Sequence, residues 1–206
     1  MAATATERRA VHFRRPHAAT PATPRALLVV VLAAAGALQL AAPPVVADGD
    51  LPAAVAEVCK NTPFPELCTG SSQRHAGKYD TVDPLTVLGM QVDAFSKRVK
   101  AASRRAKKEA KAAATPEQRR ALNLCKSYYL DAGDNLGACK RAIRFRDGVT
   151  IRATMSMAAQ DMQNCDEEFR KAAAKNPVCD LNRSLVDMVE NCRALSNMIP
   201  AAGVLN

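Results

Sequence analysis

The sequence predicts an all-α fold, an antiparallel up-down four-helix bundle that carries a cysteine-clipped N-terminal appendage. Three observations predict it. Four stretches repeat apolar residues at alternating steps of three and four, the spacing of a single buried helix seam. Aromatic residues make up 4% of the chain and tryptophan is absent, so the core must be built from Ala, Leu, Val, Met and Cys, which suit closely approaching helices better than a sheet sandwich. The breaks between the stretches are short, which favours antiparallel neighbours with left-handed packing. At 206 residues the chain has room for one such domain and a leader.

Residues 1–47 read as a signal peptide. Arg8, Arg9, Arg14, Arg15 and Arg25 precede the apolar run Ala26 to Ala42, and Val45-Val46-Ala47 offers a small-residue cleavage site. The run contains Gly36 and Gln39, stops at Pro43-Pro44 and falls short of the roughly 20 residues a spanning helix needs, so cleavage is expected rather than stable membrane insertion. Residues 48–206 are then the folded domain. All seven cysteines lie in it, which suits an oxidising compartment, and an odd number leaves at least one unpaired or bonded to another chain.

Leu51, Ala54, Val55 and Val58 give one face of a brief helix that must rest on something larger. Cys59 and Cys68 then flank Pro63 and Pro65, a loop in which a bridge between the two would remove about 2 to 3 kcal/mol of unfolded-state entropy. Gly70 to Asp80 reads as a polar connection. Asp83-Pro84 starts the first long helix, with Asp as N-cap and Pro where its missing N–H costs nothing. Its seam is Leu85, Leu88, Val92, Phe95, Val99, Ala102 and Ala106, and it stops around Ala114.

Thr115-Pro116-Glu117-Gln118 starts the second as a capping box, with the seam Leu122, Cys125, Tyr129, Ala132, Leu136, Cys139 and Ile143 and an end near Asp147-Gly148. Gly133 and Gly137 inside it are expected where another backbone comes close. The third helix carries Ile151, Met155, Ala158, Met162, Cys165 and Phe169. After the break at Lys175-Asn176-Pro177 the fourth carries Leu181, Leu185, Met188, Cys192, Leu195 and Ile199. Several cysteines therefore sit on seams, where Cys is often just a small hydrophobe, and spacing alone does not choose the bridges.

Enzyme chemistry finds little to use. Beyond the leader only His75 remains, read as a solvated loop residue, and the adjacent Asp166, Glu167 and Glu168 do not face one another on a helix, so they read as a solvated face. No Cys-x-x-Cys or His-x-x-x-His occurs, so no metal and no cofactor is expected. Asn182-Arg183-Ser184 fits an N-glycosylation acceptor at the start of the fourth helix.

The net charge of +9 is concentrated: Lys97 to Arg120 holds ten basic residues against Glu109 and Glu117. No aromatic is interleaved to stack on bases, so nucleic acid is not the expected partner. A solvated basic face, or contact with something anionic such as pectin or an acidic protein surface, are the readings.

Cys59-Lys60-Asn61-Thr62-Pro63 with Leu67-Cys68, then Cys125, Tyr128 and Ala132, then Ser156, Ala158, Ala159, Cys165 and Phe169, resemble the plant invertase and pectin methylesterase inhibitor family over nearly all of residues 48–206. The resemblance implies a secreted four-helix bundle with an N-terminal helical hairpin, bridged Cys59 to Cys68 and Cys125 to Cys165. It further implies a protein that binds and blocks pectin methylesterase or acid invertase in the apoplast or cell wall, or in the vacuole, and catalyses nothing. Cys59 to Cys68 and Lys175-Asn176-Pro177 with Leu181-Asn182 look more like the invertase-inhibitor branch, whereas Gly148-Val149-Thr150 stands where that branch carries Pro-Lys-Phe. Cys139, Cys179 and Cys192 are additional to the family's four.

The partner-binding candidates are therefore the basic residues Arg104, Lys107 and Lys108, suited to an acidic catalytic cleft, and the turn Arg146, Asp147, Gly148, Val149 and Thr150. The competing class is a non-inhibitory basic bundle that binds wall polysaccharide or a membrane surface directly.

Overall fold

The computed structural model describes residues 51–201; the expected signal peptide lies outside the described residues. In chain order come α1 (Leu51–Cys59), α2 (Pro65–Gln73), a 3-10 turn (Ala76–Lys78), α3 (Pro84–Lys111), α4 (Pro116–Arg144), α5 (Gly148–Lys171) and α6 (Cys179–Asn197). The last four close a ring in which α3 packs on α4 and α6, and α5 on the same two. Contacts fix the directions. Cys125 meets Cys165 and Asn135 meets Asp161, so α4 and α5 run antiparallel; Met162 meets Asn182 and Arg152 meets Ile199, so α5 and α6 do too.

The seams bury as their spacing demands. Leu88, Val92, Phe95, Val99, Ala102 and Ala106 of α3 are covered, as are Leu122, Tyr129, Leu136, Met155, Met162, Leu185, Met188 and Leu195 from the other three helices. The expected starts are also built. Asp83 accepts from Thr86 N at 2.7 Å and Thr86 returns a bond to Asp83 N, so the box on α3 closes through a threonine. Thr115 accepts from Gln118 N at 3.1 Å, but Gln118 reaches back to Ala114 N instead of Thr115 N, leaving the expected box half made.

The N-terminal part is the helical hairpin that the family resemblance implies, and it differs from the loop that the residues alone suggest. Pro65 opens α2 rather than interrupting a loop, because proline at the first helical position sacrifices only an N–H that has no intrahelical partner. Cys68 therefore lies in a helix, and the polar connection begins only after Gln73. The resulting hairpin is tied down by two amide side chains. Gln91 of α3, fully buried, shares its two amide N–H groups among Cys68 O at 2.7 Å and the hydroxyls of Ser71 and Ser72 at 2.8 and 2.6 Å, and its Oε1 accepts from the Ser71 hydroxyl at 3.1 Å. Asn191 of α6 accepts from Phe64 N and donates to Phe64 O, both at 2.9 Å. Two bridges complete the frame: Cys59–Cys68 within the hairpin and Cys125–Cys165 between α4 and α5, with Cα atoms 5.6 and 4.6 Å apart.

Gly133 and Gly137 do not mark a close backbone approach. A Cβ at Gly133 would meet nothing within 4 Å, and one at Gly137 only the end of Arg141, so both face open space.

Candidate functional site

The turn joining α4 to α5 forms one tip of the bundle. α4 ends at Arg144, three residues before the expected Asp147-Gly148 turn, and closes with Arg146 in the left-handed region at φ 53 and Asp147 N bonded to Ala142 O at 3.0 Å. Asp147 belongs to the next helix, whose first residue is Gly148. Its carboxylate accepts from Thr150 N at 3.0 Å and from the Thr150 hydroxyl at 2.5 Å, and these donors hold it below the usual carboxylate range. A Cβ on Gly148 would stand 2.0 Å from Pro200 O, so the position requires glycine. The segment that presses on it is anchored by Arg152, which donates to Ile199 O at 2.8 Å.

With Gly148 buried and Asp147 and Thr150 engaged with each other, what the tip offers outward is Phe145, Arg146 and Val149. Phe145 is 82% exposed and Val149 59%. An aromatic ring and an arginine on a rigid end are residue types enriched at protein interfaces. Phe145 was not among the candidates from sequence, although it has a signal there: it stands between Arg144 and Arg146, out of step with the seam that ends at Ile143.

The basic candidates lie elsewhere. Arg104, Lys107 and Lys108 are exposed on α3 together with Lys97, Lys100 and Lys111, and none of the six pairs with a carboxylate among the described residues. On α5 and α6 the opposite holds: Arg170 pairs with Glu167, Lys171 with Glu168, Arg183 with Asp180 and Arg193 with Glu190, each one turn away. Like charges three or four apart on a helix cost roughly 0.2 to 0.5 kcal/mol per pair, so α3 carries a self-repelling row of a kind that α5 and α6 avoid. The two groups of candidates are not brought together. Asp93 of α3 binds Lys140 of α4 at 2.8 Å, which sets the start of α3 beside the tip, and Arg104 to Lys108 lie about 17 to 22 Å beyond Asp93 at roughly 1.5 Å per residue.

The remaining candidates find structural uses. His75 is not a solvated loop residue: it is 5% exposed, its Nδ1 has no hydrogen-bond partner, and burial followed by the nearby Lys97 holds its pKa below the ordinary 6.5. It packs beside Asp93, whose carboxylate is engaged by Lys140 and Lys78. Asn182 is fully buried, accepting from the Tyr129 hydroxyl at 3.0 Å and donating to Met162 O at 2.9 Å, so the glycosylation motif is closed off in the folded chain. Cys139 and Cys192 are buried thiols, and burial pushes Cys139 up to about 11, which keeps it from acting as a nucleophile. Cys179 is the partly exposed free thiol.

Among the described residues no group of three or more His, Cys, Asp and Glu side chains could hold a metal ion, and no helix is long and apolar enough to cross a membrane. One further titratable group escaped the sequence reading. Asp161 accepts from Asn135 at 3.1 Å in the groove between α4 and α5, and burial, reinforced by Asp131, pushes its carboxyl up to about 6.

Comparison with known proteins adds what the geometry alone does not. The family model described as plant invertase/pectin methylesterase inhibitor matches residues 53–195. A curated relative, pectinesterase inhibitor 12 of Arabidopsis thaliana, is 30% identical over 78 residues, which are 38% of this chain and 45% of that protein; the match thus spans under half of the relative's length. Two crystal structures share the fold at 16% identity. One is mutant form A of a pectin methylesterase inhibitor from Arabidopsis, with a TM-score of 0.59, covering 72% of this chain and 98% of that one. The other is a pectin methylesterase inhibitor from Arabidopsis thaliana, with a TM-score of 0.54, covering 72% and 97%.

Proposed function

The chain belongs to the plant invertase/pectin methylesterase inhibitor family, and from that premise we propose that it is a secreted protein that binds and blocks a cell-wall carbohydrate enzyme, pectin methylesterase first, and performs no catalysis itself. The observation that carries the docking surface is Phe145. A ring left 82% exposed at the end of a disulfide-tied bundle costs hydration free energy that burial against a partner would recover, and Arg146 and Val149 flank it. The tip is held from below by the Asp147 cap and by the contact of Gly148 with Pro200, so little ordering is left to lose on binding.

Acid invertase is the second candidate target. The residues Cys59 to Cys68 and Lys175-Asn176-Pro177 favour it, while Gly148-Val149-Thr150 leaves the tip without the Pro-Lys-Phe stretch of that branch.

Titrating purified residues 48–206 into pectin methylesterase and, separately, into acid invertase tests the reading. Stoichiometric loss of the first activity is expected, and retention of both activities would overturn it. Phe145→Ala should weaken inhibition by roughly 2 kcal/mol, about thirtyfold, with an unchanged thermal midpoint. Unchanged inhibition by that variant would move the docking surface away from the tip.

A further inference from the structure

α3 carries a row of cations that the inhibitor reading leaves unused. At 100° per residue, Lys97, Lys100, Arg104, Lys107 and Lys111 fall within an arc of about 80° on the outward side of the helix and extend over roughly 21 Å. Lys108 and Lys111 stand in the last turn, where a helix C-terminus attracts positive charge. Lys97, Lys100 and Arg104 are two or more turns inside, where the helix ends do not account for them.

At its N-terminal end the row runs into a cleft of about 350 Å³ lined by Arg74, His75, Ala94, Lys97 and Arg98. Arg98 is fixed there by donating to the Ser184 hydroxyl at 3.1 Å. Every charged side chain of that lining is a cation.

We propose that this face of α3, from the Arg74 and Lys97 cleft to Lys111, is a docking track for a linear polycarboxylate, an acidic polysaccharide chain laid along the helix. Charge complementarity identifies the class of ligand, and what the track lacks narrows it. None of the exposed large hydrophobics, Phe64, Leu130, Phe145, Val149, Met157 and Met198, lies on α3, so the face has no apolar anchor of the kind a protein interface centres on. Nor does α3 expose an aromatic ring on which a base could stack. An evenly charged, hydrophilic polymer needs neither. Because the track starts at Lys97, about 6 Å beyond Asp93 along α3, and runs on away from the Phe145 tip, it would hold the protein on an anionic matrix with the tip free.

The test uses residues 48–206 and three probes: immobilised polygalacturonate, the same polymer fully methyl-esterified, and a DNA oligonucleotide of matched charge. The protein should be retained on polygalacturonate and released by rising salt, with little retention on the uncharged ester. Replacing Lys97, Lys100, Arg104 and Lys107 together by Gln should weaken retention roughly tenfold or more, while raising the thermal midpoint slightly because the like-charge repulsion is relieved. Arg170→Gln with Lys171→Gln, which removes paired cations from α5, should leave retention unchanged.

Equal retention of the fourfold variant, equal retention on the ester, or tighter retention on DNA would each overturn the proposal, the last in favour of a nucleic acid. Retention is read without any enzyme, so it stands or falls separately from inhibition of pectin methylesterase.

Discussion

The hairpin of α1 and α2 and the bundle of α3 to α6 are held together by different forces. The bundle buries four apolar seams against one another, a non-directional attraction spread over many side chains, and adds the Cys125–Cys165 bridge between two of its helices. The hairpin contributes only Val55, Cys59 and Cys68 as fully buried hydrophobics, and its place on the bundle is set by the amides of Gln91 and Asn191 bonding to α2 and to Phe64. Apolar contact decides that a segment is covered; directional bonds decide where it sits. The bundle is therefore expected to unfold as a unit and the hairpin to open beneath it.

The largest effect that sharpens this contrast comes from the two bridges. Replacing Cys125 and Cys165 by Ala should cost about 4 kcal/mol, since the bridge closes a loop of 40 residues; replacing Cys59 and Cys68 should cost about 2 to 3 kcal/mol for a separation of 9. Thermal unfolding measures the first and hydrogen exchange the second, because exchange should accelerate in residues 51–78 alone when the hairpin bridge is lost. A global fall in midpoint from the hairpin variant as large as that from the bundle variant would mean the two regions are one cooperative unit.

Gln91→Leu is the next step down. It keeps the apolar surroundings of α3 satisfied but leaves Cys68 O and the hydroxyls of Ser71 and Ser72 without their donor, at a cost of about 1 to 3 kcal/mol. Asn191→Ala should act alike from the α6 side. In both variants the hairpin amides should lose exchange protection while those of α4 and α5 keep theirs; loss of protection throughout would mean that hairpin and bundle open together.

The same contrast explains what the sequence showed and what it hid. Seams, caps and breaks are local patterns, so the four long helices, Asp83 and Thr115 could be read directly. α2 is reached only through the family resemblance and not from its own residues, because Gly70, Ser71 and Ser72 are weak helix formers and the bonds that hold them come from Gln91, some 20 residues later. His75 looked solvated for a similar reason: its neighbours Ala94 and Lys97 are brought over it by packing, not by sequence proximity.

At the candidate site, the exposure of the turn was legible and its separation from the basic residues was not. Only the register that Asp93 and Lys140 impose shows that Arg104 and Arg146 occupy different levels of the bundle. The burial of Gly148 depends on where Pro200 falls, which no local pattern encodes.

The smallest expected effects are in pH, and the two regions should respond with opposite sign. Asp161 in the bundle is raised from an ordinary 3.8 to about 6, so between roughly pH 4 and 6 the folded chain holds a proton that the unfolded chain has released, and bundle stability should fall as pH rises through that window. His75 beneath the hairpin is lowered from 6.5, so the unfolded chain takes up the proton first as pH drops, and the stability that His75 lends is present above pH 6.5 and lost as pH falls below it. Asp161→Asn should flatten the fall in the thermal midpoint between pH 4 and 6. His75→Gln should flatten the acid-side rise in hairpin exchange, measured after correction for the intrinsic pH dependence of amide exchange. A hairpin that opens more readily as pH rises from 5 to 7, in the corrected data, would contradict the burial of His75 and with it the view that polar contacts alone set this region's place on the bundle.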